Sequence, residues 1–240
     1  MMLTSALSPV FHAYSETHHP LPSRHVGVRY DRSGNFLYEP GNTIVCHLTE
    51  GSETQAAIID LRSLYLDLPE VERLAFTPVS SLHMTLFQGI IEHRRQPGFW
   101  PADLPLDTPI DDMTQIMAQR LARFQAGPSF RVGLVDLRPT GMTLDGVTEA
   151  DKAALAEWRN RLVDLFGYRH PDHETYRFHI TFAYVIRTLS DAALLEWQQV
   201  LGEQTEAFQA RFEAIELNPP AFCSFNDMKH FEELVVLDHS

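Results

Sequence analysis

Two stretches in different halves of the chain, SLHMTLFQGI and TYRFHITFAYVI, each set a histidine and a threonine among apolar residues. In an extended strand alternate side chains share a face, so His83 and Thr85 point one way while Met84 and Leu86 point the other. The same parity groups His179 with Thr181, and places Arg177 on their face. What surrounds each stretch also recurs. Ile58, Leu61, Tyr65 and Leu68 fall at helical spacing before the first, and Leu155, Trp158, Leu162, Leu165 and Phe166 before the second. A helix and an alternating strand then follow each: Ile110 to Phe124 and SFRVGLVDLRP, which GMTLDGV can pair with, in the first; Leu194 to Phe208 and RFEAIEL in the second. Thr148 to Asp151 reads as a capping box with Asp in place of Glu, and Ser190 as an N-cap. An order used twice predicts an α+β fold of two related lobes; two copies are too few and too long for a solenoid.

His-x-Thr by itself carries little information, since 12 histidines predict about 0.8 such triplets by chance. Indeed a third occurs at His47-Leu48-Thr49, followed by Glu50. Requiring an apolar residue after both His and Thr excludes the third and lowers the expectation to about 0.15. Two copies at matching places are therefore a signal. A neutral imidazole accepts a proton and an imidazolium donates one, and both forms exist near neutrality. Threonine hydroxyls can donate to the non-bridging oxygens of a phosphate. Two such pairs at a shared cleft suit phosphoester chemistry with no metal and no cofactor.

The net charge of −13 opposes sequence-blind binding to long nucleic acid, although a local pocket on an acidic protein can still be positive. Two cysteines, Cys46 and Cys223, among apolar neighbours fit reduced thiols rather than a disulfide framework. The N-terminus lacks the pattern of a signal peptide and no segment reads as a membrane span, so a cytoplasmic location is expected. Residues 1–40 read as an arm with a hairpin turn at Asp31 to Asn35, and residues 41–240 as a single bilobal domain. Its lobes cover roughly 41–91 plus the C-terminal strands, and 129–218, with residues 92–109 as an inserted loop holding four prolines.

The paired HMTL and HITF stretches, in this duplicated layout, resemble the signature of the 2H phosphoesterase superfamily, the 2′-5′ RNA ligase-like or cyclic phosphodiesterase-like proteins. PGNTIVCHL and FCSFNDMKHFEEL look like a less characterised branch of it, and the resemblance spans roughly residues 41–240. It implies antiparallel sheets facing one another across a central cleft with helices outside, and cleavage of 2′,3′-cyclic phosphates or 2′-5′ and related RNA phosphodiester bonds. By position, His83 and His179 become the acid/base pair and Thr85 and Thr181 the phosphate binders; partners would be a small nucleotide, a cyclic phosphate or a short RNA end. Tyr184 stands where some members have a basic residue. Arg177, Tyr184 and His47 are further candidates for substrate binding, each with a bland alternative: a surface arginine, a core tyrosine and a structural histidine. Which histidine is base and which is acid is open at this level. So are two rivals: a nucleotide-binding regulatory module that turns nothing over, and a metal hydrolase using His170, Asp172 and His173.

Overall fold

The computed structural model describes residues 6–20 and 23–238; within the arm, residues 1–5 and 21–22 lie outside the described residues, as do 239–240 of the domain. Strand β1 (Gly41–His47) leads into helix α1 (Glu53–Tyr65), which Ser52 caps by accepting from the Gln55 amide. Short β2 (Leu74–Phe76) and long β3 (His83–Ile91) follow, then the insertion, and then α2 (Ile110–Leu121). The hairpin β4 (Val132–Arg138) and β5 (Gly141–Gly146) precedes α3 (Glu149–Phe166). The helix opens with the expected capping box: Thr148 accepts from the Asp151 amide, and the Asp151 carboxylate accepts from that of Thr148. Next come β6 (Phe178–Thr181), β7 (Ala183–Val185) and the Ser190-capped α4 (Asp191–Arg211). Strands β8 (Ala221–Phe225) and β9 (Glu232–Val236) end the described chain. No helix is long and apolar enough to cross a membrane among the described residues.

Seven strands form one antiparallel sheet in the order β4-β5-β6-β3-β1-β8-β9, and β2 pairs with β7 in a separate ribbon. This corrects the expectation of sheets facing each other across a cleft. The two histidine strands lie side by side, joined at Met84 opposite Ile180, so the cleft opens on one face of the seven-stranded sheet. The segment RFEAIEL is also not a strand. It makes only isolated bridges, Ile215 to Val132 and Leu217 to Leu48, because α4 runs on to Arg211 and absorbs its first residue.

The other face carries the core. Met84, Leu86, Met142 and Ile180 are almost fully buried there, in one cluster with Ile58 of α1, Met117 of α2, Trp158 of α3 and Trp197 of α4. Each such side chain contributes about 2 to 3 kcal/mol by leaving water. The apolar member of each His-x-Thr triplet therefore anchors its strand and fixes which way the polar members face.

Candidate active site

Strands β3 and β6 place the four motif side chains together. With Met84 opposite Ile180, the antiparallel register sets His83 beside Thr181 and Thr85 beside His179, all on the face away from the core. All four line a cleft of about 310 Å³. A bulge opposite Ile44 and Val45 leaves Leu86 unpaired in the β1 ladder, so His83 and Thr85 keep their facing while the strand bends beyond them.

Both imidazoles are tethered in the same way. His83 Nδ1 lies 2.7 Å from the carbonyl of Ser81, and His179 Nδ1 lies 2.9 Å from that of Arg177. A carbonyl only accepts, so each Nδ1 carries a proton and Nε2 is left to exchange one. Burial pushes the pKa of His83 down to about 3, against the raising effect of the Ser81 carbonyl, with His47 and His179 lowering it further. Phe231 sits edge-on to its ring at 4.2 Å between centroids. His179 is exposed at the mouth of the cleft; desolvation by the surrounding protein lowers its pKa too, and the Arg177 carbonyl opposes the shift.

Of the other candidates, Tyr184 does line the cleft. The chain breaks its strand after Thr181: the Phe182 and Ala183 amides both donate to the Thr140 carbonyl, at 2.9 and 3.3 Å, and β7 turns away to pair with β2. That break re-aims Tyr184, whose parity in an unbroken strand would have put it in the core. Arg177 is exposed in an adjoining recess that shares His179, Thr181 and Tyr184 with the cleft. His47 stands opposite His83 on β1, with ring centroids 6.1 Å apart, but does not line the cleft; its Nε2 faces Glu233 at 3.8 Å.

The loop histidines do not form a metal site. His170 is 3% exposed and wedged edge-on to Phe99 at 4.7 Å, while His173 Nε2 is 3.0 Å from the Asn160 side-chain oxygen. Among the described residues no three His, Cys, Asp or Glu side chains converge as ligands.

Several lining residues escaped the sequence reading: Arg24, His25 and Arg29 from the arm, Arg94 from the insertion, and Phe231 near the C-terminus. Tyr30, fully buried, pins the arm by donating to the Val185 carbonyl at 2.7 Å. The only sequence signal for these was the arm's richness in His and Arg, with no period to place it.

Residues 29–143 match the family model 2H-phosphodiest, described as a domain of unknown function (DUF1868). The match takes in His83 and Thr85 and ends at Thr143, which stands opposite His179 in the sheet. A solved structure of a conserved protein of unknown function from Agrobacterium tumefaciens is 50% identical, covering 96% of this chain and 100% of that one with a TM-score of 0.94. No curated protein matches. With the paired motifs on adjoining strands and the family model over the first of them, the chain belongs to the 2H phosphoesterase superfamily.

Proposed function

We propose that the chain is a metal-independent phosphodiesterase acting on 2′,3′-cyclic phosphates or 2′-5′-type RNA phosphodiester bonds, with a small nucleotide or short RNA end as substrate. The observation that carries this reading is the four-residue constellation: two imidazoles with Nδ1 tethered alike, each beside the other motif's threonine. We read the β3–β6 seam as the meeting of two related halves, β4-β5-β6 and β3-β1-β8-β9, each giving one His/Thr pair.

We base the assignment of roles on a difference between the two histidines. His83, under Phe231, is held neutral and serves as the base; His179, open to water, takes up a proton more readily and serves as the acid. His83 Nε2 removes a proton from water as its oxygen bonds to phosphorus. The P–O bond to the leaving oxygen breaks, and His179 Nε2–H supplies that oxygen's proton. The hydroxyls of Thr85 and Thr181 donate to the non-bridging oxygens, where negative charge grows. Solvent then restores both imidazoles.

The test is hydrolysis of nucleoside 2′,3′-cyclic phosphates and short 2′-5′ oligonucleotides in EDTA. His83→Ala and His179→Ala should each cost about 10² to 10⁴ in kcat, and Thr85→Val or Thr181→Val about 10². Activity that persists in the double histidine variant would overturn the mechanism. Tight nucleotide binding with no product from either substrate class would point to a binding module instead.

A further inference from the structure

The cleft holds more positive charge than the chemistry of one phosphodiester asks for. Arg24, Arg29 and Arg94 line it together with His25, on a protein whose net charge is −13. The same four residues also line an annex of about 450 Å³ that opens off the cleft towards the insertion. The arginines are not equivalent. Arg29 is neutralised: its Nε donates to Glu39 at 2.6 Å and its guanidinium lies 5.3 Å from the Tyr184 ring centroid. Arg94 has no such ion pair: Asp172 and Glu39 also line the annex and, with Tyr168, oppose the fall in its pKa, but only from beyond ion-pair distance. Arg94 donates to the Gly89 carbonyl at 3.1 Å and sits over Phe99 at 4.9 Å, and its buried Nε has no partner. No carboxylate pairs with Arg94 or with Arg24 among the described residues within ion-pair distance; Arg24 Nε donates only to His25 Nε2, at 3.3 Å. Burial, with Arg29 nearby, pulls the Arg94 pKa down to about 10, and burial followed by the three arginines pulls that of His25 down to about 4. A desolvated guanidinium with an open donor is costly unless an anion completes it.

The supports are fixed before any ligand arrives. Tyr30 holds the arm to Val185 and bonds within the arm to Ser23, and the Glu92 amide ties the start of the insertion to the Pro40 carbonyl at 3.0 Å. Arm and insertion thus both deliver cations to one place beside the four motif residues.

We infer that this annex is a second anion subsite, formed by Arg94 and Arg24, which holds a phosphate monoester carried by the same nucleotide whose phosphodiester lies at His83 and His179. The substrate class is then a nucleotide with a terminal phosphate in addition to the bond that is cut. The inference rests on the phosphodiesterase reading for the role of the first phosphate, but it concerns affinity and needs no turnover.

The experiment compares calorimetric binding of adenosine 3′,5′-bisphosphate and adenosine 3′-phosphate to the full chain. The wild type should bind the bisphosphate at least about ten-fold more tightly, the tenfold step expected of one charge-assisted contact. Arg94→Gln should remove that advantage, and Arg24→Ala, at an exposed position that does not bear on folding, should reduce it. His83→Ala with His179→Ala should weaken both ligands and leave their ratio intact. Equal affinity of the wild type for the two ligands, or an advantage that survives Arg24→Ala combined with Arg94→Gln, overturns the subsite. If the phosphodiesterase reading alone is wrong, hydrolysis is absent while the ratio and its loss on substitution remain.

Discussion

The Phe231 ring packs against His83, the imidazole that has to stay neutral in the proposed mechanism. Phe231→Ala would expose that ring, and its pKa would rise from about 3 towards 6.5. A general base works in its unprotonated form, so the acidic limb of the kcat/KM profile should move to higher pH, by one unit or more. An unmoved limb, or a proton-NMR titration of His83 that stays below pH 4, would show that Phe231 does not set the base. At this scale the motif residues were legible and their neighbours were not. Alternation marked His83, Thr85, His179 and Thr181 because period two is a local property of extended chain. Phe231 and Arg94 reach the same cleft from segments with no periodic pattern, and only folding shows that they arrive there.

Among the elements, β6 is the one whose placement decides the site, and Gly141 decides the placement of β6. It pairs with Thr181 at a φ of +137°, and a Cβ there would lie 2.1 Å from the Ile180 carbonyl oxygen. Gly141→Ala should therefore cost about 2 kcal/mol or more through forced displacement, seen as a melting temperature lower by roughly 4 to 8 °C. It should also lower kcat, since Thr181 moves with the strand. The same substitution at Gly202, where a Cβ meets nothing within 4 Å in the middle of α4, should leave the melting temperature unchanged or raise it slightly. Helix starts were readable from the chain, as Thr148 and Ser190 show, because a cap is satisfied within three residues. The break between β6 and β7 was not. It depends on the Thr140 carbonyl, 42 positions before Phe182, and it is what turns Tyr184 into the cleft.

Across the whole molecule, buried and half-buried histidines link stability to pH. The pKa values of His83 and His170 are pushed down to about 3 and that of His25 to about 4, in each case first by burial. Unfolded, each would bind its proton near pH 6.5. Between those values the unfolded state holds more protons, so stability is complete above pH 6.5 and falls as the pH drops, by up to about 1.4 kcal/mol per unit for each histidine. Denaturation in urea at pH 7.5, 6.0 and 5.0 should show this decline. His170→Phe, which keeps a ring against Phe99 and removes one titrating group, should flatten it; the same slope in that variant would show that His170 contributes nothing to the acid sensitivity.

The chain by itself determined the two His/Thr pairs, the face each presents, the helices between them and the α+β class, since all of these follow from periodicity and from contacts a few residues long. The tertiary structure alone decided that both pairs lie on neighbouring strands of one sheet rather than on facing sheets. It also decided that an arm read only as an appendage carries Arg24, His25 and Arg29 into the cleft. Burial of apolar surface drives the chain to close without naming partners; strand register and the buried Tyr30 anchor choose them, and those choices join Met84 to Ile180 and Tyr30 to Val185, far apart in the chain.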